Sequence, residues 1–309
     1  MSQYYSHGSI QNVLSHLRQL SVFCVAFCEP FLPVSRDALL GFIELMSRTS
    51  GHDHIQHVLT SIAFLHKCKG VAYPGDSFEF HVLLRGLKRK LAKPKRQALP
   101  ITPEILILMY QYVDIRNPSS LAHWTAFLFA LRLLYRKSSV APKSWSAFNP
   151  ARDFSREKAV INGDVILVYQ NHSKTDQFMA NTRVVPLIAS SIRALDPVFH
   201  YSELVKKNLV PGNFPVFTFI SNGKLNCVTH NSFTSYLKLL LRQIGLDPDS
   251  WTGHSFRRGG ASLLYRLGLD PVTIQACGDW KTDTFLKYLE VNFDRLWFAQ
   301  RTMAGFSCS

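Results

Sequence analysis

Residues 253–260 read Gly253-His254-Ser255-Phe256-Arg257-Arg258-Gly259-Gly260, and a tyrosine, Tyr288, follows about one helical segment later. A histidine and an arginine three positions apart on a helix share a face, so both reach one anionic group. Backbone N–H groups at the helix start favour the same anion. Gly259 and Gly260 permit close approach of another backbone or helix. A phenol in the same stretch becomes a nucleophile once its proton is removed. Taken singly, a lone histidine is usually structural, and a tyrosine between Leu286 and Leu289 is usually half-buried packing. Tyr201 and Tyr265 are read that way. The arginine partner and the glycine pair weigh against that reading for His254, and together the residues suggest chemistry on a phosphate.

Working outward, Arg136 stands in Leu134-Tyr135-Arg136-Lys137-Ser138-Ser139-Val140-Ala141-Pro142, after the apolar stretch Phe127 to Leu134. Alone it reads as a helix-end arginine favoured by the dipole. Lys174 lies in Asn171-His172-Ser173-Lys174-Thr175-Asp176-Gln177-Phe178, between two strand-like runs, where a lysine can swing over a bound substrate and donate a proton. Alone it is an ordinary turn lysine. Asp279 and Trp280 precede Tyr288 within Gly278-Asp279-Trp280-Lys281-Thr282-Asp283.

The chain has 309 residues, 35 Lys and Arg against 21 Asp and Glu, and a formal net charge of +14. Such a charge favours a polyanionic partner, DNA above all. Anionic membranes are the competing explanation, but the basic residues are spread through folded-looking segments rather than gathered on one amphipathic helix. No run of eighteen apolar residues predicts a membrane span, and Met1-Ser2-Gln3-Tyr4-Tyr5 shows no secretory signal. The six cysteines (Cys24, Cys28, Cys68, Cys227, Cys277, Cys308) are scattered and read as reduced thiols of an intracellular protein. Cys24 and Cys28 lie in an apolar run and are expected as buried small hydrophobes rather than metal ligands with His66 and Cys68.

Two domains are expected. Residues 1–92 read as an all-helical domain of four helices: an apolar repeat through Leu20 closed by Pro30 and Pro33, a second helix capped by Ser35 or Asp37, a third ending before Gly70, and a fourth from about Ser77 to Leu91. A basic linker follows at 93–101. Its approach and core, Lys88, Arg89, Lys90, Lys93, Lys95 and Arg96, read as contacts to a DNA backbone. Residues 102–309 are mixed. Thr102-Pro103 starts a helix near 103–114, and a second runs near 118–136. Residues 165–169 and 182–187 read as two strands, with 170–181 as the tip between them. Helices are expected near 188–206, 230–244, 255–267 and 271–276 and around Tyr288. An amphipathic tail follows with Val291, Phe293, Leu296, Trp297 and Phe298.

The ordered set Arg136, Lys174, His254-x-x-Arg257 and Tyr288 resembles the tyrosine recombinase (phage-integrase-type) superfamily. Its wording is most similar to the recombinases of eukaryotic mobile elements of the Crypton, DIRS and Ngaro kinds. The phrases 173–178, 254–261 and 278–283 carry that similarity, which covers about residues 99–300. The resemblance implies an α+β, mostly helical fold: an N-terminal all-α core-binding domain, then a catalytic domain with a small antiparallel β-sheet. It implies strand cleavage by Tyr288 through a 3′-phosphotyrosyl intermediate, aided by His254, with Arg136 and Arg257 meeting charge on phosphorus. Lys174 is then the acid for the leaving 5′-oxygen. No cofactor or metal is implied. The implied partner is double-stranded DNA, gripped between the two domains by a homodimer on one site and a homotetramer in the synapse, with the tail docking on a neighbouring subunit. A eukaryotic element implies nuclear localisation.

Two positions depart from the family pattern. Ser139 stands where an acidic residue is usual, three positions after the first arginine. Asp279 stands where His or Trp is usual, about nine positions before the nucleophile, with Trp280 one position late. Either Trp280 fills that role after a local shift or Asp279 does something different. The alternatives are a DNA-binding derivative with weakened catalysis and relaxation of the type IB topoisomerase kind.

Overall fold

The computed structural model describes residues 7–92, 97–170, 183–288 and 301. The chain divides into two units, Met1–Lys95 and Arg96–Ser309. In the first, four helices stand where the periodicity places them: α1 His7–Ala26, α2 Arg36–Ser47, α3 His52–Lys69 and α4 Phe78–Lys90. Ser35 caps α2, its hydroxyl accepting the Ala38 N–H at 3.0 Å. Gly70 ends α3 at φ 68°, a left-handed position that suits glycine. Leu20, Phe23, Leu39, Phe42, Ile43, Ile55, Val58, Ile62 and Phe80 close the core between them. Cys24 is buried there, but Cys28 is exposed, because α1 stops at Ala26 and the chain turns at Cys28 (φ 55°). His66 is buried and structural: Nε2 accepts the Val34 N–H at 3.4 Å, and Nδ1 lies 2.7 Å from the Ala72 carbonyl. Among the described residues no helix is long and apolar enough to cross a membrane.

The second unit is built around α6, Pro118–Arg132, whose residues 121–131 are all buried. Around it stand α5 Pro103–Tyr110, the short α7 Lys137–Val140, α8 Pro197–Lys207, α9 His230–Gln243, α10 His254–Arg266 and α11 Pro271–Cys277. The strands β1 Ala159–Asn162, β2 Val165–Gln170 and β3 Arg183–Ile188 form an antiparallel sheet in that order, burying Ile166, Val168 and Leu187. A hairpin of β4 Thr218–Ser221 and β5 Lys224–Cys227 completes the unit. Tyr201 is buried under the sheet with its hydroxyl 3.3 Å from the Ala159 carbonyl, a packing tyrosine.

Three expectations are corrected here. The helix expected at 118–136 ends at Arg132, and Leu134 takes a left-handed conformation (φ 51°). Arg136 is therefore not a helix-end residue but the extended residue preceding α7. The helix expected at 188–206 begins only at Pro197, capped by the Asp196 carboxylate, because β3 runs on to Ile188 and a 3-10 turn takes up Arg193–Leu195. β1 and the β4–β5 hairpin were not expected at all. Their four-residue strands are too short for alternation to show, although Asn222-Gly223 (φ 52° and 71°) is a hairpin-turn pair.

Residues 98–101 lie as a strap across α10. Leu99 N–H donates to Ser250 O at 2.9 Å and Ile101 N–H to Ser255 O at 3.0 Å. Arg258 Nη1 donates to Ala98 O at 2.8 Å. The glycine pair makes this possible. A Cβ on Gly259 would lie 1.8 Å from Ile101 O, and one on Gly260 would lie 2.5 Å from Leu131 O in α6. Gly259→Ala is expected to cost on the order of 3 kcal/mol, as an overpacked core position does. That is a melting-temperature drop of roughly 6–12 °C for a domain of this size. Gly86→Ala, where an added Cβ meets nothing within 4 Å, is the control and is expected to raise the melting temperature. Equal melting temperatures for Gly259→Ala and the parent chain would refute the close approach.

Candidate active site

Helix α10 starts at His254 without a side-chain cap from Gly253. Thr252 supplies the local order instead: its Oγ1 accepts the His254 N–H at 3.2 Å, and its own N–H donates to Ser255 Oγ at 2.9 Å. His254 is exposed at this N-terminus, whereas Arg257, one turn on, is only 3% exposed. The two residues expected on one face thus occupy different environments, a solvent-facing imidazole above a buried guanidinium.

Arg257 ties together two turns that are far apart in sequence. Nη1 donates to the Leu134 carbonyl, and Nη2 donates to the Gly278 carbonyl at 2.7 Å. The guanidinium lies over the Trp280 ring, 3.9 Å from its centroid, adding a cation–π contact. The left-handed turn at Leu134 leads the chain out of α6 to Arg136, and the next residue, Lys137, lies against Gly253 at the start of α10. Arg136 is half-buried, and among the described residues nothing hydrogen-bonds its side chain. On the other side, Gly278 lets the Trp280 indole fold back, since a Cβ there would sit 1.8 Å from that ring. Trp280 meets Phe285 at 5.8 Å between centroids, and both pack with Leu134, Ala261 and Ile274. Phe285 lies in the 3-10 segment Asp283–Tyr288, so the backbone leading to Tyr288 is anchored to the same cluster.

Asp279 is half-buried in a left-handed conformation (φ 53°), its N–H donating to Ala276 O at 3.2 Å. Tyr135 is buried close by. Burial holds its phenol above the usual tyrosine range, Arg183 opposes this, and Asp279 reinforces it. Arg183, at the start of β3, reaches the same turn, with Nη2 3.5 Å from the Cys277 carbonyl. Lys137 stands on the opposite side of Arg136. A Cβ on Gly253 would lie 2.7 Å from Lys137 Cβ, so the lysine stem covers the residue before His254. Its Nζ donates to Thr234 Oγ1 on α9 at 3.1 Å.

The structure therefore gathers Arg136, His254, Arg257, Asp279 and Trp280 around one end of α10. Of Tyr288 the backbone is described, as the last residue of its 3-10 segment. Lys174, Lys93, Lys95, Arg96 and the tail at 291–298 lie outside the described residues. Lys88, Arg89 and Lys90 are exposed on the last turn of α4. Sequence reasoning passed over Tyr135, Lys137 and Arg183. The first two were visible as neighbours of Arg136; Arg183 carried no local signal.

This arrangement, a helical unit followed by a mixed unit whose buried arginine joins three separated segments, has the tyrosine recombinase fold. No protein-family model matches the sequence, and no curated protein does. Solved structures do match. The Tn1549 transposon integrase in complex with circular intermediate DNA is 14% identical, with a TM-score of 0.63 over 97% of this chain and 95% of that one. A lambda integrase dimer bound to a COC′ core site is 14% identical, with a TM-score of 0.59 over 94% and 92%. The XerH site-specific recombinase in a post-cleavage complex with palindromic difH substrate is 12% identical, with a TM-score of 0.55 over 88% and 70%. At these identities the likeness is one of fold.

Proposed function

We propose that this chain breaks and rejoins DNA strands as the recombinase of a mobile element. The observation that carries the proposal is the Arg257 tie. One guanidinium joins the turn before Arg136 to the turn holding Asp279 and Trp280, at the helix end that presents His254. Three phrases scattered over the sequence thereby become one cationic site, in a fold whose solved examples include proteins bound to DNA. The phrases at 173–178, 254–261 and 278–283 support an element of the Crypton, DIRS or Ngaro kind, acting in the nucleus.

In this reading Tyr288 Oη attacks a scissile phosphodiester. The phenol loses its proton, with His254 assisting, as the new P–O bond forms. The bond to the 5′-oxygen breaks, and that oxygen takes a proton from Lys174. The product is a 3′-phosphotyrosyl link and a free 5′-hydroxyl, which reverses the step on the same or a partner strand. Bond energy is kept in the link, so the chemistry consumes no nucleotide. Arg136 meets the charge that grows on the non-bridging oxygens, while Arg257 contributes charge and holds the surrounding turns. Both units contribute basic surface, and Lys88, Arg89 and Lys90 with Lys93, Lys95 and Arg96 of the linker contact the backbone. A homodimer on one site and a homotetramer in the synapse complete the reaction.

The test is a duplex nicked near the scissile phosphate, which loses a short leaving strand and traps the link. Covalent attachment of the chain to DNA is expected. Absence of any adduct under all conditions would leave the second reading, a DNA-binding derivative with weakened catalysis. Asp279 is the feature favouring that alternative, because a carboxylate beside a phosphate repels it. Asp279→His is expected to speed adduct formation, by removing the charge and adding a donor. An unchanged rate would assign the position's role to Trp280. Histidine and asparagine are tolerated at φ 53°, so Asp279→Val should cost about 1–2 kcal/mol more than Asp279→His or Asp279→Asn. Calorimetry of the three variants checks this.

A further inference from the structure

Lys137 is a cation whose surroundings leave it available to an anion. It sits half-buried between Arg136, its chain neighbour, and the Gly253–His254 start of α10. Its stem is pinned: a Cβ on Gly253 would lie 2.7 Å from its Cβ and 3.1 Å from its Cδ. Its head is pinned too. Nζ donates to Thr234 Oγ1 at 3.1 Å, and Thr234 Oγ1 in turn donates to the His230 carbonyl at 3.0 Å. An ammonium has three donors, and one is used here. Lys137 makes no ion pair with a carboxylate among the described residues. Its neighbours are mostly cationic or neutral. His230, at the start of α9, is held below its usual range by burial and then by Lys137 itself, with Lys143 adding to the effect. A held, half-buried ammonium with no carboxylate partner among the described residues, one residue from Arg136 and beside the α10 N-terminus, is suited to a phosphate oxygen.

We propose that Lys137 binds a backbone phosphate of the DNA, next to the one held by Arg136, with Thr234 fixing the ammonium in place. This rests on the strand-cleavage reading above for the identity of the polyanion. Its consequence is mechanical. The α9 start, the Arg136 segment and the His254 turn all meet at this side chain, so one phosphate contact sets the register of the strand against the catalytic groups.

The full-length chain and a fluorescent duplex test the proposal in two ways. In a salt titration, each neutralised phosphate contributes about 0.9 to the slope of log affinity against log salt. Lys137→Met is expected to lower the slope by about one such increment, so that affinity falls about three- to fourfold less between 50 and 200 mM salt. Lys137→Arg should retain the slope, and so should Thr234→Val, which keeps the ammonium. The second measurement needs no variant: lysine acetylation of the parent chain read by mass spectrometry, with duplex expected to protect Lys137. A bound duplex that leaves Lys137 unprotected, or a Lys137→Met slope equal to that of the parent, would overturn the lysine's role while leaving the strand-cleavage reading standing. A parent chain that binds no duplex at all would sink both.

Discussion

Tyr288→Phe is expected to abolish covalent capture of the nicked duplex while leaving duplex affinity unchanged. The change removes one oxygen and keeps the ring, so the backbone turn anchored by Phe285 has no reason to move. Without that oxygen no phosphotyrosyl link can form, and the loss is complete rather than partial. A free phenol has a pKa of about 10, so in the proposed reaction the rate depends on groups that take its proton. Tyr135, buried near Asp279, is disfavoured on the same ground, since burial first and then Asp279 hold its phenol above the usual tyrosine range. Tyr135→Phe is accordingly expected to keep the adduct. Mass spectrometry of the adduct, after nuclease trimming, reads the linked residue directly. A link on any residue other than Tyr288 would overturn the assignment.

Arg257→Ala is expected to lower the rate of adduct formation by at least about 100- to 1,000-fold, the usual cost of one preorganised donor. It should also destabilise the second unit, which separates it from Arg136→Ala. Truncation leaves the Leu134 and Gly278 carbonyls without their charged donor and strips the cation from the Trp280 face. Hydrogen bonds to a charged group are worth about 1.5–3 kcal/mol each, so a loss of about 3 kcal/mol or more is expected. Arg136→Ala, with no comparable bonds, should lose cleavage at an unchanged melting temperature. Arg257→Lys keeps the charge but cannot span two carbonyls and stack on an indole at once. Recovery of stability and rate by the lysine would show that charge alone suffices; recovery of neither is the expected result. Adduct kinetics and thermal unfolding on the same three proteins decide it.

The helical unit was legible because its signals are local. Ser35, Gly70 and the 3.6-residue spacing of Leu39, Phe42, Ile43 and Met46 act on backbone groups within a turn of themselves. β2 and β3 were legible as apolar runs. The short β1, β4 and β5 were not, since four residues hold too little alternation to stand out. The end of α6 is not legible in the sequence. Its apolar run continues to Leu134 and Tyr135, and nothing local announces that Leu134 adopts φ 51°. That conformation is sustained from outside, by Arg257 binding the Leu134 carbonyl 123 residues away.

The sequence by itself carried the order of the phrases: a basic chain in which Arg136, His254-x-x-Arg257 and Tyr288 follow one another, with a glycine pair that admits a neighbouring backbone. Only the tertiary structure decided the surroundings of those residues. It buried Arg257 as the tie between Leu134 and Gly278, stacked Trp280 on it, left His254 at the surface and set Lys137 against Gly253. The reason is that the partners of Arg257 are main-chain carbonyls, which are alike at every residue. A sequence displays donors on side chains, but a carbonyl's availability depends on the fold around it.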